Sequence, residues 1–284
     1  MIDINFTMPF EQYAKAEGVN SSLLKEMRRS PAHARYYIQS RLEEDNKREA
    51  TALKLGRLVH KFVHEPAIAM DGLVVKPESM KFSTNEGKAW RDEQENQGKH
   101  IITQDERDQL LGMVSSVLNC KSAREFIEAS YCETSVFCET KVRLDRDDET
   151  TVTLKARVDQ LITRGNAIAD LKTAADASPH GFSKAMWDFG YYMQAPFYVD
   201  AVNNAQQALG KDYGHKKLMV FIVVEKTPPY PVYLYCPDTE AMKRGRSDYK
   251  ALLAQYVRCK REDRWPGPPA DITHLSLPRW ANAA

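Results

Sequence analysis

The 284 residues are enough to bury a full hydrophobic core, so neither metal nor disulfide staples are needed to hold the fold. Forty Lys and Arg against 39 Asp and Glu leave a net charge of +1, which excludes a polybasic binder and requires any polyanion to be held by a local patch. Cys120, Cys132, Cys138, Cys236 and Cys259 form an odd set with no C-x-x-C pair, against both a disulfide framework and a structural zinc site. The opening Met-Ile-Asp-Ile-Asn-Phe has no basic or apolar leader, and no run nears the ~18 apolar residues of a membrane span, so a soluble cytoplasmic protein is expected.

The N-terminal section, about residues 1–70, reads as amphipathic helices. Ser21-Ser22 can cap one carrying Leu23, Leu24 and Met27, and Ser30-Pro31 can start a second through Tyr36-Tyr37-Ile38. Leu53, Leu55, Leu58, Val59, Phe62 and Val63 stripe a third, which Pro66 closes. Residues 84–99 are polar and suit an exposed helix or crossing segment, after which Thr103-x-x-Glu106 is a capping box opening a helix to about Leu118. From Tyr131 the period changes to that of strands: 135–138, 141–144, 151–162 and 167–171. Helices follow at about 179–188 and 191–209, then a strand at 218–224, a Pro-rich turn, a strand at 232–235 and a charged helix at about 238–261. The pattern predicts one α/β domain over 1–265, with a central mixed sheet flanked by helices over about 71–265 and an irregular Pro-containing tail at 266–284.

Gly165-Asn166 suits a two-residue hairpin turn, which would set Asp159 opposite Lys172 and Leu161 opposite Asp170. Asp159, Asp170 and Lys172 then emerge on one face, with diagonal neighbours roughly 7 Å apart, near enough for two carboxylates to share a hard cation. Asp-x-Lys also occurs at Asp45/Lys47 and Asp248/Lys250, so the tripeptide says little, and on spacing alone an exposed surface pair fits at least as well. Gly56-x-x-x-His60 places a glycine and a histidine on one helix face, allowing close approach of another element, though a half-buried satisfied histidine has the same pattern. Gln194 and Tyr198 share a helical face in the same way, and Glu133 stands beside the first strand.

The ordered series Gly56-x-x-x-His60, Glu133, Asp159, Asp170-x-Lys172, Gln194-x-x-x-Tyr198 resembles the PD-(D/E)xK nucleases of the RecB type. The resemblance is closer to the exonuclease VIII (RecE-like) group of phage recombination. It rests on Ser30-Pro31-Ala32-His33, Leu55-Gly56-Arg57-Leu58-Val59-His60, Lys155-Ala-Arg157-Val-Asp159, Asp170-Leu-Lys172-Thr173 and Val224-Glu225-Lys226, and it spans about residues 20–265.

What the resemblance implies is a restriction-endonuclease-like core and a Mg2+-dependent, 5′-to-3′ exonuclease on linear double-stranded DNA ends. It further implies a bacterial or phage-infected cytoplasm, a ring-like homotetramer and a single-strand annealing partner of the RecT type. His60, Asp159, Asp170 and the Leu171 main-chain carbonyl would hold Mg2+, with Mn2+ able to substitute, and Lys172 would orient water and offset charge. Glu133 would support them or hold a second metal. Arg57, Lys155 and Arg157 would bind phosphates, and Gln194 and Tyr198 would position the DNA strand, without base specificity. Pro196 inside the Gln194/Tyr198 stretch departs from a regular helix. Two alternatives share these motifs: a catalytically silent DNA-binding scaffold, and a nuclease of the CRISPR-associated or AddB type lacking its iron–sulfur cluster.

Overall fold

A computed structural model of the chain describes residues 1–42, 51–268, 271–272 and 274–276. Asp45 and Lys47, and positions 269–270, 273 and 277–284 of the expected tail, lie outside them. The N-terminal section runs β1 (Asp3–Asn5), α1 (Phe10–Lys15), α2 (Ser21–Arg29), α3 (Pro31–Leu42), α4 (Thr51–His64) and α5 (Pro66–Asp71). Asn20, rather than Ser21 or Ser22, caps α2: its side chain takes the Leu23 N–H at 2.8 Å, which leaves both serines on the first turn. β2 (Leu73–Val75) and β3 (His100–Ile102) pair in parallel as a small separate sheet, with the polar helix α6 (Asn85–Asn96) between them in sequence. The Thr103/Glu106 capping box opens α7 (Gln104–Asn119), and α8 (Lys121–Glu128) leads to the main sheet.

β4 (Ser130–Asp145) and β5 (Asp148–Ile162) are two long antiparallel strands, so the runs expected separately at 135–138 and 141–144 are one. β6 (Ala167–Ala174), α9 (Pro179–Asp188), α10 (Tyr191–Ala208), β7 (Leu218–Glu225), β8 (Val232–Tyr235) and α11 (Thr239–Glu262) complete the chain order. The sheet is ordered β1-β4-β5-β6-β7-β8 and is mixed, β6 and β7 being parallel because α9 and α10 carry the chain back between them. This is the α/β architecture the sequence predicts.

Alternation along β6 and β7 sorts side chains into two cores. Ile168, Met219, Phe221 and Val223 pack with α2, α10 and α11, whereas Ala169, Leu171, Val220, Ile222 and Val224 pack with α4 and α7. Asp170 and Lys172 share the parity of Ile168 and so emerge toward α10. The β5–β6 hairpin corrects the expected register: Gln160 pairs with Ala169 and Leu161 with Ile168, so Asp159 does not face Lys172 and Leu161 does not face Asp170. The loop holds Thr163 and Arg164 as well as Gly165 and Asn166, because the buried Lys216 ammonium donates to the carbonyls of Ile162, Gly165 and Tyr213 and fixes the longer turn. The shift is by two residues, an even number, so every side chain keeps the face assigned to it.

α10 continues through Pro196, which cannot bond the Tyr192 carbonyl one turn back. Gly245 of α11 packs onto that carbonyl: a Cβ there would lie 1.8 Å from the Tyr192 oxygen and 3.0 Å from Pro196 Cγ. α11 therefore seats α10, and α10 carries Gln194 and Tyr198. Gly245→Ala is expected to lower the urea unfolding midpoint by the equivalent of about 1–3 kcal/mol, the usual range for overpacking. An unchanged midpoint would contradict this close approach.

Candidate active site

The site begins where two ladders leave a gap. β5–β6 pairing stops at Gln160↔Ala169, and β4–β5 pairing skips from Cys132↔Gln160 to Thr134↔Val158. Asp159 sits in this gap and its Oδ2 accepts the Leu171 N–H at 2.9 Å, tying the end of one strand to the next. His60 Nδ1 lies 3.2 Å from the same oxygen, and its ring also meets the Leu171 main-chain carbonyl. Gly56 lets α4 come this close: a Cβ there would stand 3.3 Å from Thr173 Oγ1 on β6.

Asp170 points into the same cleft. Gln194 Nε2 donates to its Oδ1 at 2.7 Å, Lys172 pairs with its Oδ2, and the Lys172 ammonium lies 4.8 Å from the centre of the Tyr191 ring. The cleft, about 280 Å³, is lined by Asp159, Asp170, Lys172, Gln194 and Tyr198, with Ser21, Ser22 and Lys25 from α2 and Phe189 and Tyr191 beside the α9–α10 corner. A larger concavity of about 640 Å³ borders Asp200, Lys216 and Arg246, but Asp200 is tied there to Arg246 and Tyr249, and Lys216 to main-chain carbonyls.

Burial dominates the electrostatics. It raises the Asp159 carboxyl well above the ordinary aspartate range, and repulsion from Asp170 and then Glu133 adds to it. Burial also lowers His60, with the Lys172 charge adding to that, so the imidazole is neutral and its lone pair is available. For Lys172, burial works against the charge, yet the adjacent Asp170 outweighs it and the ammonium is raised above the usual lysine value. The Tyr198 phenol is pushed up by burial and faces Ser21.

The fold thus gathers His60, Asp159, Asp170, Leu171, Lys172, Gln194 and Tyr198 around one cleft. Three expected phosphate contacts are placed differently. Lys155 is buried and donates to the carbonyls of Tyr13, Ala14 and Ala16, tying down the free end of α1. Arg157 spans from Glu133 Oε2 at 2.6 Å to the Met8 carbonyl and Ser135 Oγ. Arg57 is on the exposed side of α4, near His100 together with Lys54 and Lys61, and does not line the cleft. Glu133 has a left-handed backbone, φ 52°, and stands beside His60 and His64. His64 and Gln160 form a further pair that the sequence reading missed, although His60-x-x-x-His64 was visible as a helical spacing. Burial pushes the His64 imidazole down to about 3, with His60 adding to it.

The residues present suit a hard divalent cation. Two buried carboxylates repel one another in the cleft, with a neutral imidazole and a main-chain carbonyl against them, and a cation would relieve that repulsion. The Cys residues offer no cluster: among the described residues, no three of them converge as metal ligands.

A family model described as a PDDEXK-like domain of unknown function (DUF3799) matches residues 20–275. In three dimensions the chain is similar to a "Putative exonuclease" from Eubacterium rectale, known from a crystal structure, with a TM-score of 0.58, 12% sequence identity and 98% of each chain covered. At that identity the likeness speaks for the fold. No curated protein matches the chain.

Two outcomes follow from this geometry. A carboxyl raised in the folded state destabilises the fold increasingly as pH rises from the ordinary aspartate value through its raised one. In EDTA, Asp159→Asn is therefore expected to stabilise the protein at pH 7.5, the gain shrinking as the pH falls to and below the ordinary aspartate value and the carboxyl becomes neutral in both folded and unfolded chains. A loss of stability at pH 7.5 would contradict the direction of the shift. Lys155→Met should lower stability by about 1–3 kcal/mol by stranding buried carbonyls, with DNA affinity unchanged in gel-shift assays. Weakened DNA binding by a fully folded variant would return Lys155 to the phosphate-binding role.

Proposed function

This chain belongs to the family described as a PDDEXK-like domain of unknown function, DUF3799, and on that premise we propose that it is a metal-dependent exodeoxyribonuclease acting on linear double-stranded DNA. The observation that carries the reading is the convergence of Asp159, Asp170 and Lys172 in one cleft, with His60 3.2 Å from Asp159. Four chemically suited groups from α4, β5 and β6 meet there, which a solvated surface pair would not require.

His60, Asp159, Asp170 and the Leu171 carbonyl would hold Mg2+, or Mn2+ in its place. The ion supplies Lewis-acid charge at a phosphoryl oxygen and acidifies water. The chain's own residues do the positioning. Leu171 N–H fixes the Asp159 carboxylate, and Gln194 fixes that of Asp170. Lys172, held charged by Asp170, donates to the attacking water and offsets negative charge as the P–O bond breaks. Ser21, Ser22 and Lys25 at the mouth are suited to phosphate oxygens, and Tyr198 braces α2 against α10 through Ser21. None of these groups reads a base, so cutting is without sequence preference. Polarity from 5′ to 3′, single-stranded tails for phage-type recombination, a ring-like tetramer and an annealing partner of the RecT type extend the same proposal and rest on the sequence resemblance alone.

End-labelled linear duplex incubated with Mg2+ should give a ladder of short products that EDTA abolishes. Asp170→Ala should remove them, and Lys172→Ala should slow them by roughly 100-fold or more while metal affinity measured by calorimetry is nearly kept. Absence of a Mg2+-dependent product, or one insensitive to Asp170→Ala, would favour a DNA-binding scaffold. Complete loss of metal affinity in Lys172→Ala would contradict the role given to the amine.

A further inference from the structure

On the other side of His60, His64 and Glu133 converge with it as a second set of donors. α4 sets His60 and His64 one turn apart on a single face, with ring centres 6.0 Å apart. β4 brings Glu133 up to them, and one ligand atom from each of the three residues lies within 4.8 Å of the others. Among the described residues, no other trio of His, Cys, Asp or Glu side chains comes together in this way.

Two further observations show donor capacity that the protein itself does not use. His64 Nδ1 and Gln160 Oε1 are buried without a hydrogen-bond partner, although Gln160 Nε2 and His64 Nε2 meet at 3.2 Å. Turning the Gln160 amide over would let Oε1 accept from His64 Nε2–H. Imidazole carries one N–H when neutral, so that tautomer leaves the Nδ1 lone pair without any protein partner. Glu133 is held at φ 52°, a left-handed conformation that is unfavourable for a glutamate, and Arg157 grips only its Oε2. A carboxylate can present its second oxygen to a cation while the first stays on a guanidinium.

We infer that His60, His64 and Glu133 form a cation position of their own, beside the Asp159/Asp170 position, that takes a first-row transition ion such as Mn2+, Co2+ or Zn2+ in preference to Mg2+. Two imidazoles and one carboxylate make a nitrogen-rich set, which transition ions favour, whereas Mg2+ selects oxygen donors and keeps its waters. His60 belongs to both sets, and because a neutral imidazole has a single lone pair, it can ligate a cation in only one position at a time. The inference stands apart from the nuclease reading because it is measured as binding and not as turnover.

The test uses the full chain, stripped with EDTA and titrated with Co2+, followed by visible d–d absorption and calorimetry. Asp170→Asn, which cripples the oxygen-rich position, should still bind a single equivalent of Co2+. Adding His64→Asn to that background should weaken binding by roughly tenfold or more, and Glu133→Gln in place of His64→Asn should do the same, which covers the failure of either variant to fold. Unchanged Co2+ affinity in the folded double variants, or no Co2+ binding by Asp170→Asn alone, would overturn the assignment. A protein that passes this test yet digests no DNA would leave the cation position standing and remove the nuclease proposal.

Discussion

The hydrogen bond from Leu171 N–H to Asp159 Oδ2 is the contact on which the cleft depends. A sheet satisfies its main-chain donors through its neighbours, and a strand that parts from its partner leaves buried donors that cost free energy unless something else receives them. β5 and β6 part after Gln160↔Ala169, and the Asp159 side chain takes the place of the missing ladder acceptor. The gap can therefore stay open inside an otherwise continuous sheet. The group that seals the break is itself an acid, and the next side chain across from it on β6 that faces α10 is Asp170. On the proposed function, fold maintenance and chemistry would fall on the same carboxylate.

The helices fix what surrounds this gap, and each does so through a local feature of its sequence. Gly56 brings α4 against β6 and delivers His60. Asn20 takes over the capping of α2 and leaves Ser21 and Ser22 on the cleft wall. Pro196 bares the Tyr192 carbonyl, and Gly245 fills that place with backbone, so α10 is clamped at the level from which Gln194 reaches Asp170. Remote glycines in this chain consequently bear on the positions of the acids as directly as their nearest neighbours do.

Much of the arrangement is legible in the sequence because it is periodic or local. The capping box at Thr103/Glu106, the helices over 179–188 and 191–209, and the strand at 232–235 follow from patterns within a few residues, and all are present. The face shared by Asp159 and Asp170 survives an error in the hairpin register because a slip of two preserves parity. The register itself was hidden, since Lys216, some fifty positions away, holds the turn open. The ties of Lys155 and Arg157 are hidden in the same way: the carbonyls of Tyr13, Ala14, Ala16 and Met8 that accept from them belong to a segment whose docking no local pattern announces. Charged residues beside a motif invite a ligand-binding reading, but a buried cation can as readily secure a helix end.

The charges of the site set stability against function. Asp159 and Asp170 are enclosed close together, and among the described residues Lys172 is the cation that pairs with Asp170, while Arg157 is committed to Glu133. Burying like charges raises the free energy of the folded state, and the two apolar cores flanking the sheet must offset it. Replacing the acids with apolar residues would be the simpler way to fill that space. Two acids enclosed at a cleft, each oriented by a specific donor, would suit a site that receives positive charge: the repulsion between the carboxylates would become attraction for a cation that entered. Lys172, kept charged beside Asp170, holds the cleft together before that happens and is already in place next to whatever the carboxylates then bind.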